Sequence, residues 1–167
     1  ADLLSIHVRP PEIEDRQFPG HWEGDLIKGE GNASAVGTLV ERTSRLVMLV
    51  KLPEFKPASA ANVLQAFTDK LLGIAQPMRL SMTYDQGREM SMHKKLSEQT
   101  GIAVYFCDPH SPWQRGSNEN MNGLVRQYLP KGTDLSIYSQ EQLDAIADEI
   151  NNRPRKGLGV RSPLAVC

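Results

Sequence analysis

HWEGDLIKGEGNASAVGTLVERTSRLVMLVKL, residues 21–52, holds three short runs of strand-forming residues separated by turn chemistry. Trp22 to Lys28 is the first, closed by Gly29-Glu-Gly-Asn, a composition that reverses a chain rather than extending it. Ala35 to Thr43 and Leu46 to Leu52 are rich in Val, Leu and Thr and are separated by Ser44 and Arg45, the pattern of a hairpin. The three runs predict an antiparallel meander.

Beyond residue 52 the period changes. Pro57 opens a segment in which Ala60, Val63, Leu64, Phe67, Leu71 and Ile74 recur at helical spacing, ending near Gly73 and Pro77. Arg79 to Tyr84 reads as a strand, Gln86 to Thr100 as a helix closed by Gly101, and Ile102 to Cys107 as another strand. Strands alternating with helices call for parallel pairing, because each crossover returns the chain to the same end of the sheet. Ser139 and Gln142 form a capping box for a helix whose Leu143, Ile146, Ala147 and Ile150 share one face. The fold class is therefore α/β. Residues 1–20, with Pro10-Pro11 and Pro19-Gly20 and no sustained period, read as an N-terminal arm or linker, and residues 21–167 as one core domain.

The composition narrows the function. A chain of 167 residues with 40% hydrophobic content suits one domain with a real core. No apolar run reaches the roughly 20 residues that cross a bilayer, and the N-terminal stretch lacks the basic-then-apolar pattern of a secretory signal. A cytoplasmic protein with no membrane partner is expected. Cys107 and Cys167 suggest neither a disulfide framework nor a zinc knuckle, and the four histidines fall at no metal-ligand spacing. Gly29-x-Gly31-x-x-Ser34 follows a strand but opens no helix, which makes it a turn rather than a dinucleotide fingerprint. The net charge of −1 argues against a protein that coats nucleic acid by charge alone. Its distribution is uneven, with six acids in residues 1–25 and only bases (Arg153, Arg155, Lys156, Arg161) after Glu149.

Three acids stand out by position. Asp25 falls inside the first strand, where a charge is costly to bury unless it is paired or metal-bound. Asp85 follows directly on the strand ending at Tyr84, at the carboxyl edge where open α/β sheets place ligands, although an N-cap role fits it too. Glu119 belongs to a helical pattern in which Met121, Leu124, Val125 and Tyr128 share one face while Glu119, Asn122, Gly123 and Arg126 gather opposite. A solvated glutamate fits that pattern equally well. The interval from Asp85 to Glu119 has room for a helix, a strand and a loop that return the chain to the sheet edge.

Four phrases carry a family resemblance: His21-Trp-Glu-Gly-Asp, Gly37-Thr-Leu-Val-Glu-Arg, Asp85-Gln-Gly, and Cys107-Asp-Pro-His-Ser-Pro-Trp-Gln-Arg-Gly-Ser-Asn-Glu-Asn. From about Trp22 to Pro163 the chain resembles the catalytic core of DDE transposases and retroviral-type integrases, in the ribonuclease H-like superfamily. Within that group it is most similar to bacterial insertion-sequence transposases of the IS-thirty family. The resemblance implies a five-stranded mixed sheet, three antiparallel strands followed by two parallel to the first, flanked by helices. It implies that Asp25, Asp85 and Glu119 are catalytic and bind two Mg²⁺ or Mn²⁺ ions for cleavage at transposon ends and 3′-hydroxyl strand transfer into target DNA.

Around these acids, Tyr84, Gln86, Gly87, Asn118 and Asn122 are expected to shape or support the metal pocket. His110, Trp113, Gln114 and Arg115 form a loop suited to stacking on DNA, and Arg126, Lys131, Arg153, Arg155 and Lys156 are candidate phosphate contacts. Trp113 serves equally well as a packing anchor for its loop. By the same resemblance the protein is expected to act on bacterial nucleoid DNA as a homo-oligomer. The chain starts close to the core, without the upstream helix-turn-helix region such enzymes use on element ends, so the main DNA affinity is expected elsewhere. A nuclease of the same superfamily without strand transfer, and a catalytically silent DNA-binding or assembly module, share the expected fold.

Overall fold

The computed structural model describes residues 19–52, 60–84, 94, 97–106 and 116–153. Strands β1 (His21–Lys28), β2 (Ala35–Glu41) and β3 (Val47–Lys51) form the antiparallel meander, and β4 (Ser81–Tyr84) and β5 (Ala103–Phe106) extend it in parallel. The order across the sheet is β3-β2-β1-β4-β5, which makes β1 the central strand. Helix α1 (Ala60–Leu71) covers one face, and α2 (Gly116–Val125) and α3 (Gln140–Asn151) cover the other. This is the five-stranded mixed sheet anticipated from the sequence. No helix among the described residues is long and apolar enough to cross a membrane.

Strand ends differ from the sequence reading where side chains turn the chain. β2 stops at Glu41 rather than Thr43 because the buried Glu41 carboxylate bends the backbone around itself. One oxygen accepts from the Thr43 and Ser44 N–H groups (3.1 and 2.7 Å) and the Ser44 hydroxyl (2.9 Å), and the other from Gly20 N–H (3.0 Å). β4 starts at Ser81 rather than Arg79 because Gln76–Met78 winds into a 3₁₀ turn and Leu80 N–H bonds the Gly20 carbonyl (2.7 Å). Two further 3₁₀ turns, Glu30–Asn32 and Leu135–Ile137, were not anticipated as such. Of the helix expected over 86–100, residues 94 and 97–100 are described and are helical. Gly101, at φ +73°, closes it by donating its N–H to the Ser97 carbonyl (2.9 Å), as a left-handed C-terminal glycine does. The capping box at α3 is present, Ser139 and Gln142 bonding each other's backbone.

Two cores result. Trp22, Leu39, Leu64, Phe67, Leu71, Met82 and Tyr84 are buried beneath α1, and Ile27, Val36, Val40, Leu49, Met121, Val125, Leu143 and Ile150 beneath α2 and α3. The α1 core turns on Phe67, whose ring meets Tyr84 edge-on with centroids 5.5 Å apart. That ring lies directly on the backbone of β1 and β2. A Cβ at Gly24 would stand 3.1 Å from it, and one at Gly37 would overlap it. Gly37 is thus required by close approach, while at Gly24 a Cβ would meet the ring in a tight fit.

The free edge of β3 is closed by two amides of α3. Asn151 accepts from Val47 N–H and donates to the Val47 carbonyl (both 2.8 Å), while Gln140 accepts from Lys51 N–H and donates to the Leu49 carbonyl (both 2.8 Å). Side-chain amides here replace the next strand, which removes the edge as a template for association. Gly37→Ala should lower stability by about 1–3 kcal/mol through overpacking against Phe67, measured by urea unfolding, and Phe67→Leu in the same chain should recover part of the loss.

Candidate active site

Along β1 the side chains of His21, Glu23 and Asp25 point to the α2/α3 face, while Trp22, Gly24 and Leu26 point to α1. All three polar residues sit among covered neighbours, and each is engaged. His21 Nδ1 lies 2.7 Å from Ser81 Oγ, and Glu23, fully buried, pairs with the buried guanidinium of Arg42. Asp25, half-buried, accepts the Leu26 N–H at Oδ1 (2.8 Å) and the Asn122 side-chain amide at Oδ2 (3.0 Å). A partner of the kind that burial of Asp25 demanded is therefore Asn122 of α2.

Asn122 also sets the seat of α2. Met121 and Val125 are buried in the core, whereas Asn122 and Arg126, on the flank read from sequence as opposite the apolar stripe, are half-buried and lie against β1. Arg126 donates to the Lys28 carbonyl at the end of β1 (2.9 Å) and to the Leu129 carbonyl (3.3 Å). Glu119 is a backbone position of α2 one turn before Asn122, about 4.5 Å along the helix axis. Asn118 occupies the preceding position.

On the other side of β1, the parallel register sets Tyr84 beside Gly24. The last residue of β4 is thus abreast of the residue before Asp25. Tyr84 is buried toward α1 against Phe67, so it supports the platform from behind. Asp85, Gln86, Gly87, His110, Trp113, Gln114, Arg115, Arg155 and Lys156 lie outside the described residues. Among the described residues no three His, Cys, Asp or Glu side chains gather as a metal site. Asp25 by itself is the right kind of donor, a hard carboxylate oxygen suited to Mg²⁺ or Mn²⁺ rather than to a soft metal.

Of the remaining cations, Arg153 has structural contacts. Arg153 donates to Tyr128 Oη (2.6 Å) and Gln127 Oε1 (3.0 Å), with its guanidinium carbon 5.2 Å from the Tyr128 ring centroid. Lys131 is exposed in the loop after α2. Sequence reading passed over Thr38 and the Glu23–Arg42 pair. Thr38 looked like one more strand former. Its signal was polarity in an otherwise apolar row of β2, since Val36 and Val40 on either side are buried in the core.

The model of the family described as integrase core domain matches residues 15–112. The chain is 67% identical over 165 residues to the transposase for insertion sequence element IS1086 of Cupriavidus metallidurans, covering 99% of this chain and 48% of that protein. It is 49% identical over 161 residues to transposase InsI for insertion sequence element IS30A of Escherichia coli, covering 96% of this chain and 41% of that protein. The chain thus spans less than half the length of these relatives. In fold it is similar to the catalytic core domain of BIV integrase, with a TM-score of 0.59 at 21% identity, covering 87% of this chain and 91% of that one. It is similar also to a chain of the simian T-cell lymphotropic virus intasome, with a TM-score of 0.64 at 14% identity, covering 88% and 54%.

Because the Arg153 guanidinium links the end of α3 to the segment after α2, Arg153→Ala should cost about 1–2 kcal/mol of stability. Urea unfolding of the wild type and the variant measures this directly.

Proposed function

Because the chain belongs to the integrase core domain family, we propose that it is the catalytic core of an insertion-sequence transposase, a DDE polynucleotidyl transferase. It cleaves DNA at the ends of the element and joins the resulting 3′-hydroxyl to target DNA. The observation that carries this reading is the Asn122–Asp25 hydrogen bond, which ties the helix bearing Glu119 onto the strand bearing Asp25. On the far side of that strand, β4 ends abreast of Gly24, and Asp85 is one peptide bond, about 3.8 Å between Cα atoms, beyond Tyr84. With Asp85 following there, Asp25, Asp85 and Glu119 would act together at the carboxyl edge of the sheet, where α/β folds take their ligands.

The family is divalent-metal dependent. Asp25, Asp85 and Glu119 would hold two Mg²⁺ or Mn²⁺ ions. When bound, these supply activation of a water or 3′-hydroxyl and neutralise charge on the leaving 3′-oxygen. The remaining work falls to the chain itself. The Leu26 N–H and the Asn122 amide orient the two oxygens of Asp25, so the carboxylate meets its ligand without searching rotamers. Gln86, Gly87 and Asn118 would complete the surroundings of the acids, with Tyr84 behind them on the α1 side.

DNA would lie across this edge. His110, Trp113, Gln114 and Arg115 would stack on and bond the strand, and Lys131, Arg155 and Lys156 would neutralise phosphates. Arg126 and Arg153 would add to the same field while holding their structural contacts. The core would begin near His21, with residues 1–20 as the arm leading to it. It would work on transposon ends and target DNA as a homo-oligomer in the bacterial cytoplasm, at the nucleoid.

The test uses the whole transposase with labelled element ends and a plasmid target. Asp25→Asn, Asp85→Asn and Glu119→Gln should each cut cleavage and joining by roughly 10³-fold or more, while a gel-shift assay shows DNA binding largely intact. Undiminished activity in any of the three would remove that residue from the site. End hydrolysis without joining by the wild type would favour a nuclease of the same fold.

A further inference from the structure

We propose that Thr38 is a positioning residue for Asp25, acting through the side-chain amide of Asn122. The proposal rests on the reading of Asp25 as a metal-binding carboxylate. Thr38 is the cross-strand partner of Asp25 in the β1–β2 ladder and is fully buried. Its hydroxyl lies 3.4 Å from the Asp25 backbone carbonyl and 3.4 Å from Asn122 Oδ1, while Asn122 Nδ2 donates to Asp25 Oδ2 at 3.0 Å. One hydroxyl thus touches both the strand that carries the acid and the helix residue that holds it.

A buried hydroxyl is unfavourable without polar company, and on β2 itself the same-face neighbours Val36 and Val40 are buried apolar residues. The exception stands directly opposite Asp25. At 3.4 Å each contact is long for an O–H···O bond, so the contribution is one of direction more than strength. The β-branched side chain has few rotamers, which fixes where its hydroxyl sits relative to β2.

An amide has a definite polarity. With Oδ1 turned to the hydroxyl, the NH₂ group turns to the carboxylate; the reverse orientation sets a carbonyl oxygen against Asp25 Oδ2. Asp25 enforces this orientation as long as no cation competes for its charge. Once a cation competes for that charge the pull weakens, and Thr38 then holds the amide in place. Positioning partners that bond a metal ligand directly are worth about 10–100-fold in affinity, and Thr38, one bond further out, should be worth less.

The test is a Mn²⁺ titration of the 167-residue chain, followed by the free-ion electron paramagnetic resonance signal, with thermal unfolding as a folding control. Thr38→Val should weaken Mn²⁺ binding about three- to tenfold, a smaller effect than that of a direct partner, and Thr38→Ser should stay within about twofold of wild type. If the valine variant does not fold, Thr38→Ala takes its place. In an Asn122→Ala background the Thr38 substitution should make no further difference, because the route through the amide is already cut.

Wild-type affinity in Thr38→Val, equal losses in the valine and serine variants, or an undiminished loss in the Asn122→Ala background would each overturn the positioning role alone. Absence of Mn²⁺ binding by the wild type, or normal binding by Asp25→Asn, would overturn the metal-site reading and the proposal with it.

Discussion

Strand β1 is bonded along both edges, antiparallel to β2 and parallel to β4, and is covered on both faces. Each of its side chains must therefore be packed, paired or put to use. His21, Glu23 and Asp25 occupy alternate positions on one face, and each meets a polar partner there: Ser81, Arg42 and Asn122. A slip of one residue would turn all three toward Phe67 and the α1 core, leaving buried charges unpaired. Burial of polar groups on the central strand thus locks the register of the whole sheet.

The locked register has a chemical consequence. In a parallel pair the carboxyl ends of two strands lie together, and here β4 stops beside Gly24, one residue ahead of Asp25. Asp25 is supported from three directions, by its own strand through Leu26, by α2 through Asn122, and by β2 through Thr38. The glycines at 24 and 37 belong to the same design, since Phe67 presses the opposite face of these strands and a side chain at 37 would overlap its ring. A carboxylate on a platform this constrained is held in one orientation.

Charge is used in two ways. Arg42, Arg126 and Arg153 are engaged within the fold, pairing Glu23, closing on the Lys28 carbonyl and stacking on Tyr128. Lys131 is exposed to solvent. Counting cations along the chain cannot separate these roles, because a guanidinium suits a carbonyl, a phenol or a phosphate equally well. The amides of Gln140 and Asn151 show the same ambiguity. They read as ordinary helix polar residues, yet they close the free edge of β3.

Local rules were enough for much of the architecture. Alternation and turn chemistry in residues 21–52 determined the meander, apolar spacing from Ala60 to Leu71 determined α1, and Ser139 with Gln142 determined where α3 begins, because each depends on neighbours within a few residues. The position of Asp25 inside a strand already required a partner, since a buried charge is costly alone. Which partner it was could not be read locally: Asn122 lies 97 residues away, and Thr38, an unremarkable strand former in its own run, acquires meaning only when the ladder sets it opposite Asp25. The sequence by itself determined that a charged residue in β1 needed company. Only the packing of α2 across the sheet decided who supplied it, because that choice depends on contacts between segments far apart along the chain.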